Sequence, residues 1–268
     1  MFFLLFEFPM IDPVAITMGP LSIRWYALAY IAGIIIGWQY VLYLIKSYSI
    51  VFETKLLDSL LFYVTYGVIL GGRIGYVLLY NLNYYYSNPE EIFMVWRGGM
   101  SFHGGVLGVV LAIILFARKA KISIFIIGDL VASATPIGLF FGRIANFING
   151  ELFGRVAPDL PWAMIFPIAG DIPRHPSQIY EAILEGIVLF ILVRGVKIRK
   201  QNPGMTMASF FIGYGFVRTI CEFFRAPDVQ LGFVVSNMTM GQLLSLPMIL
   251  IGGIVMCCVS RKDHLDCN

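Results

Sequence analysis

Seven apolar stretches divide the chain, at roughly 20–43, 56–80, 99–117, 124–149, 178–194, 205–224 and 238–260. A helix needs about 20 apolar residues to cross the hydrocarbon core of a bilayer. The pattern therefore predicts an all-α membrane protein of about seven transmembrane helices. The polar residues between the stretches are unevenly placed. Connections 44–55, 118–123 and 195–204 carry Lys46, Lys55, Arg118, Lys119, Lys121, Lys197, Arg199 and Lys200, and the tail adds Arg261 and Lys262. Connections 81–98, 150–177 and 225–237 carry Arg97, Arg155, Arg174 and Arg225 and no lysine. Loops rich in lysine and arginine stay in the cytoplasm. The N-terminus is thus expected outside and the C-terminus in the cytoplasm, and an odd number of spans agrees.

The whole chain, 1–268, reads as one polytopic membrane domain. Residues 150–177 are too apolar for a free linker, with Leu160, Trp162, Met164, Ile165 and Phe166 among five prolines. They are expected to form a small extracytoplasmic head between spans four and five. Met1–Met10 lacks the basic region and cleavage site of a signal peptide, and is expected to lie along the membrane surface as a short arm. Tyr84, Tyr85, Tyr86 and Trp96 read as an interfacial aromatic belt. Gly67, Gly71 and Gly75 in the second span, and Gly104 and Gly108 in the third, recur every four residues, a spacing that lets helix backbones approach closely.

Polar residues inside the spans carry the chemistry. Arg143 lies several residues inside an apolar run, with Asn146 and Gly150 on the same helical face at offsets of three and seven. An ionised group inside a span is costly, and function is its default reading; snorkelling to the interface is the alternative. Given the orientation, Arg24 and Tyr26, Arg73, Tyr76 and Tyr80, His103, Arg143 and Asn146, and Tyr214, Arg218 and Glu222 all fall in the outer halves of five spans. This depth pattern predicts a polar, arginine-lined cavity. Arginine's planar fork suits phosphate, and at this depth the phosphate belongs to a phospholipid headgroup. Structural alternatives stand beside this. Arg73 could bond loop carbonyls, Arg218 and Glu222 could form an internal ion pair, and His175 could dock the head. Glu181, Glu185 and Asp129 receive no role from the sequence.

Composition narrows the class. Of 268 residues, 59% are hydrophobic and 13% charged, against about a quarter charged in soluble domains. The net charge of +3, with no long basic run, does not point to nucleic acid. The cysteines, Cys221, Cys257, Cys258 and Cys267, have neither disulfide-framework nor metal-ligand spacing. Two rival classes fit intramembrane charges. An anion transporter would place its site near the midplane, often with internal repeats. An intramembrane hydrolase would pair a nucleophile such as Ser101 with a base, but Ser101 and His103 are two apart and do not share a helix face.

The stretch Gly142–Gly154 resembles the signature of the prolipoprotein diacylglyceryl transferase family, Gly-Arg-x-(Gly or Ala)-Asn-Phe-x-Asn-x-Glu-x-x-Gly. Further blocks follow in family order: Arg24-Trp25-Tyr26, Gly71 to Tyr76, Gly98 to Gly105, Arg174 to Gln178 and Glu222 to Asp228. The resemblance implies a multi-pass protein of the bacterial cytoplasmic membrane. It implies transfer of the sn-1,2-diacylglyceryl group of phosphatidylglycerol to the lipobox cysteine thiol of a preprolipoprotein signal peptide, with glycerol phosphate released. No metal or cofactor is required. Within that reaction His103, Arg143 and Arg218 are the expected catalytic residues. Arg143, Asn146, Glu151, Tyr26, Tyr80, Arg73, Gly154, Tyr214 and Glu222 are expected to bind phosphatidylglycerol.

Overall fold

The protein is described here by a computed structural model, for residues 6–19, 21–50, 52–95, 98–199, 202–227, 232–235 and 238–266. The chain divides into two compact units, Met1–Val41 with Asp129–Asn268, and Leu42–Gly128. Two short strands, β1 (Phe6–Glu7) and β2 (Val14–Met18), precede β3 (Leu21–Arg24) and the first long helix, α1 (Trp25–Ser47). The first helix thus begins later than expected, because Leu21–Arg24 pairs antiparallel with Val14–Met18 as a hairpin.

In the second unit, α2 (Lys55–Leu79) is followed by α3 (Leu82–Ser87), a 3-10 turn (Pro89–Phe93) and α4 (Phe102–Ala120). The glycine spacing decides how α2 and α4 pack. A Cβ on Gly75 would lie 2.6 Å from Gly104 Cα, and one on Gly67 would lie 2.6 Å from the Gly108 carbonyl oxygen. Only backbone fits between these helices. Ser101 caps α4 by accepting from the Gly104 N–H at 3.1 Å. Lys121 ends it in the left-handed region at φ 56°.

The first unit continues with α5 (Ile124–Ile148) and a non-helical stretch containing β4 (Met164–Ile165) and β5 (Pro173–Arg174). A continuous helical run follows, made of α6 (Ser177–Glu181), a π segment (Ala182–Val188) and α7 (Leu189–Arg199). Then come α8 (Met205–Phe224), β6 (Phe233–Val235), β7 (Met238–Thr239) and α9 (Met240–Asp266). Ala132, Leu189, Val193, Phe210 and Tyr214 form the buried core of this unit. Gly215 and Gly252 let α8 and α9 close on one another: a Cβ on the first would lie 2.9 Å from the Ser245 carbonyl, and on the second 2.8 Å from that of Ala208.

Five helices among the described residues are long and apolar enough to cross a membrane: Trp25–Ser47, Lys55–Leu78, Ile124–Ile148, Met205–Phe224 and Met240–Arg261. The chain is therefore a mostly helical protein with the character of a multi-pass membrane protein. The other two expected stretches are occupied by α4 and by the α6–π–α7 run.

Three polar residues without a sequence role, Asp129, Thr239 and Gln242, organise helix ends. Asp129, on α5 and only 2% exposed, reaches the start of α8: Oδ2 accepts from Gly204 N–H at 3.0 Å and Oδ1 from Met207 N–H at 2.8 Å. One helix thus supplies the N-terminal cap of another. Thr239 and Gln242 form a reciprocal cap on α9, with Thr239 N–H donating to Gln242 Oε1 at 3.1 Å and Gln242 N–H to Thr239 Oγ1 at 3.4 Å.

The segment after α5 is ordered by its apolar residues. β1 pairs parallel with β4, which pairs antiparallel with β5. Phe8, 8% exposed, packs on Phe147 and Phe166 with ring centroids 5.4 and 5.3 Å away. The start of the chain, expected as an arm on the membrane surface, is docked into this module from Phe6 onward. Trp96 lies outside the described residues; Tyr84 of the expected aromatic belt donates to Glu91 at 2.9 Å.

Candidate active site

The signature stretch ends α5 with a turn that explains its spacing. Gly150, at φ 66°, occupies the left-handed region that glycine enters without a Cβ penalty. Its N–H donates to the Phe147 carbonyl at 2.9 Å, and the Glu151 N–H donates back to the Asn146 carbonyl at 3.1 Å. This is the paired closure of a Schellman motif. It folds Glu151 back over the last helical turn, where its Oε1 accepts from Asn146 Nδ2 at 2.8 Å. The same amide donates to the Tyr26 hydroxyl at 2.8 Å. Asn146, Glu151 and Tyr26 are therefore one hydrogen-bonded group, with the asparagine buried at 4% exposure. Glu151 bonds Asn146 and makes no hydrogen bond or ion pair with Arg143 among the described residues.

One turn earlier, Arg143 points at the helical run 177–199. Its Nε lies 2.9 Å from Glu181 Oε2 and 3.0 Å from Glu185 Oε2, and its Nη2 lies 2.9 Å from Glu185 Oε2. Arg218 of α8 donates from Nη1 to Glu185 Oε1 at 3.1 Å, with Glu181 Oε2 at 3.4 Å, and from Nη2 to Glu222. Arg225 adds bonds to both oxygens of Glu181 at 3.1 and 3.2 Å. Glu222 is held from its other side by the Thr239 hydroxyl at 2.6 Å. Buried ions are tolerated only when every one is paired. Three arginines and three glutamates meet that condition here. Of the arginines expected to line a polar cavity, Arg143 and Arg218 have their charges matched by carboxylates, and the ion pair expected as an alternative for Arg218 and Glu222 is present. Tyr214, stacked on Phe210 at 5.7 Å, lies within the field of the same cluster.

Glu181 and Glu185 lie four residues apart and share a helix face, and Glu222 joins them from α8. The π segment Ala182–Val188 begins directly after Glu181 and contains Glu185, and such bulges recur at functional sites. Gly186 clears the way for α5, since a Cβ there would lie 2.7 Å from Phe140 Cβ. The sequence left Glu181 and Glu185 without a role. Counting charges within the spans points to them, because the buried Arg143 and Arg218 call for carboxylate partners and Glu181 and Glu185 are the acidic residues of the fifth apolar stretch.

Gly154, expected among the substrate-binding residues, lies at a close backbone crossing. A Cβ there would lie 2.5 Å from both the carbonyl oxygen and the Cβ of His175, and 2.6 Å from the Phe224 carbonyl. Its N–H donates to His175 O at 2.9 Å, and it bridges to Arg225. Arg155 fastens the same crossing, donating to the Arg225 carbonyl at 2.9 Å and to that of Glu222 at 3.1 Å. His175 packs edge-on to Phe224 at 5.3 Å and contacts the Tyr180 hydroxyl at 3.3 Å, and burial pushes its ring pKa down.

Arg73, Tyr80 and His103 belong to the second unit. Arg73 spends all five N–H donors on backbone carbonyls. Nε goes to Ile92 at 2.8 Å, Nη1 to Gly98 and Gly99 at 2.6 and 3.1 Å, and Nη2 to Glu91 and Met94. The structural alternative therefore holds for Arg73: it ties residues 91–94 and 98–99 to α2 and keeps no donor for a phosphate. Tyr80 is 39% exposed and stacks on Tyr76 at 5.7 Å. The side chain of His103 lies outside the described residues. Ser101, the nucleophile that a hydrolase would need, is buried and committed to capping α4. No cluster of His, Cys, Asp or Glu with metal-binding geometry occurs among the described residues.

The sequence profile of prolipoprotein diacylglyceryl transferases matches residues 13–258. The chain is 55% identical over 260 residues to a phosphatidylglycerol–prolipoprotein diacylglyceryl transferase of Rhodospirillum rubrum, covering 95% of this chain and 94% of that protein. It is 58% identical over 250 residues to the protein of the same name from Azospirillum brasilense, covering 91% and 93%. A third relative of that name, from Paramagnetospirillum magneticum, is 55% identical over 249 residues, 91% of this chain and 92% of the relative.

Proposed function

The chain belongs to the prolipoprotein diacylglyceryl transferase family, and on that premise we propose that it transfers the sn-1,2-diacylglyceryl group of phosphatidylglycerol to the lipobox cysteine of preprolipoproteins. The observation that carries this is the likeness, over nearly the full length of both chains, to relatives named for that transfer. The enzyme is a transferase acting at the first step of lipoprotein maturation. Its partners are phosphatidylglycerol, the signal peptide bearing the lipobox cysteine, and the bilayer that holds both. It resides in the bacterial cytoplasmic membrane with seven spans, the N-terminus outside and the C-terminus in the cytoplasm. The 150–177 module is the head on the outer side. The distribution of lysines supports that orientation.

In the reaction the cysteine sulfur forms a bond to the terminal glyceryl carbon of the diacylglyceryl group as the C–O bond to phosphate breaks. The electron pair of that bond leaves with the phosphate, and the thiol proton leaves the sulfur. Only the thiolate attacks well, so a proton acceptor or a strong positive field is needed near the thiol. His103 is the acceptor proposed on sequence grounds. Arg143 and Arg218 stabilise the leaving phosphate as its charge grows. Among the described residues Nη1 of Arg143 and Nε of Arg218 make no hydrogen bond, and these are the donors offered to it. Asn146, Glu151 and Tyr26 orient the glycerol headgroup, and Tyr214 and Glu222 support the guanidiniums.

The test is direct. Purified protein incubated with phosphatidylglycerol and a lipobox peptide should yield a peptide heavier by one diacylglyceryl group, stable to thioester-cleaving conditions. A folded preparation that yields no such adduct overturns the proposal.

A further inference from the structure

Among the described residues Glu185 is the one carboxylate whose two oxygens are divided between the two proposed phosphate-binding arginines. Oε2 accepts from Nε and Nη2 of Arg143 at 3.0 and 2.9 Å, while Oε1 accepts from Nη1 of Arg218 at 3.1 Å. The residue is fully buried, so solvent does not compete for either oxygen. We infer that Glu185 is a positioning residue that sets the spacing and orientation of the Arg143 and Arg218 guanidiniums. The inference rests on the transferase reading above.

The geometry separates Glu185 from its neighbours. A guanidinium bound along its Nε–Nη2 edge is fixed in plane and direction, because the fork is rigid. On Arg143 that leaves Nη1 as the outward donor. Arg218 is gripped at both terminal nitrogens, by Glu185 and Glu222, which leaves Nε. Glu181 also reaches both arginines, but its Arg218 contact is longer, 3.4 Å, and both of its oxygens are shared with Arg225. Removing Glu181 would leave Arg143 and Arg218 still joined through Glu185. Removing Glu185 would leave them sharing only Glu181 Oε2, at 2.9 Å from Arg143 and 3.4 Å from Arg218, with neither guanidinium held by an oxygen of its own on that side. The π segment around Glu185 and the absence of a Cβ at Gly186 hold this carboxylate against α5.

Glutamine at this position makes a sharp probe. An amide has one acceptor oxygen, so in either orientation its NH2 group faces one of the two guanidiniums, donor against donor. The full chain would be purified as wild type, Glu185→Gln, Glu185→Asp and Glu181→Gln. Thioether formation would be followed with phosphatidylglycerol varied, at a temperature where thermal melting shows each variant folded. Glu181→Gln removes the same buried charge from the same cluster and so controls for electrostatic destabilisation. Glu185→Gln is expected to lower kcat by about 10²-fold, the cost of misplacing a reacting group by about 1 Å, with a much smaller change in KM. Glu185→Asp keeps both acceptors and should recover part of that loss, and Glu181→Gln should lose clearly less kcat than Glu185→Gln. The inference is overturned if Glu185→Gln turns over like wild type, or if both glutamine variants lose kcat equally. An inactive wild type removes the transferase reading and this inference with it, and is distinguished because no variant is then needed to see it.

Discussion

Arg143 shows how one side chain combines cost and use. Two of its three nitrogens are held by glutamates, and the third is the donor available to an anion. Lysine would keep the charge but has no fixed fork, so it cannot bind two carboxylates on one edge and present a donor from the other. Arg143→Lys is expected to reduce transfer by about 10²–10³-fold, the range for losing one preorganised donor to a developing anion, measured as kcat with the thioether assay. His175 makes a prediction of the opposite kind, about stability. Burial disfavours its charged form, so its folded pKa lies below the ordinary histidine value of about 6.5. Its contribution is complete above that value and is lost as pH falls through the lowered one. Thermal melting should therefore fall between pH 7.5 and 5 by more in the wild type than in His175→Gln. The sequence marked Arg143, Asn146, Arg218 and Glu222, because a charge or amide in an apolar run is conspicuous. It left Glu181 and Glu185 unassigned, because what they do depends on which helices lie opposite them.

At the scale of elements, periodicity and length located every long helix, and α8 was placed at 205–224, where it is found. The start of α1 was placed too early, because Leu21–Arg24 is apolar enough to extend a span yet is committed to a hairpin. Pairing with Val14–Met18 is tertiary information that apolarity does not carry. The glycines on α2 and α4 make a direct prediction. Gly75→Leu would push a branched side chain into the Gly104 backbone, and should lower the melting temperature and yield of the folded protein in detergent. Asp129 supplies a cap across helices rather than within one. Asp129→Ala leaves the Gly204 and Met207 N–H groups without that acceptor, and should cost about 1–2 kcal/mol, the size of a lost N-cap. Thermal unfolding measures it, while turnover at a temperature where the variant is folded should stay close to wild type.

For the whole molecule, the proposed topology is testable from outside. With the native cysteines replaced by serine, a single cysteine placed at Asp171, in the head, should react with a membrane-impermeant thiol reagent in intact spheroplasts, whereas one at the exposed Arg199 should react only after permeabilisation. Reversal of that pattern would refute the orientation. The sequence by itself determined that the chain is a multi-helix membrane protein, to which family it belongs, and which costly side chains lie within its helices. Those properties follow from composition, from the apolar length a bilayer demands, and from local spacing along one helix. Tertiary structure alone decided that Glu185 joins Arg143 to Arg218, that Arg73 holds a loop, and that the start of the chain docks beside Phe166. Each of these depends on residues far apart in sequence meeting in space, and on a buried charge taking whichever partner the packing brings within reach.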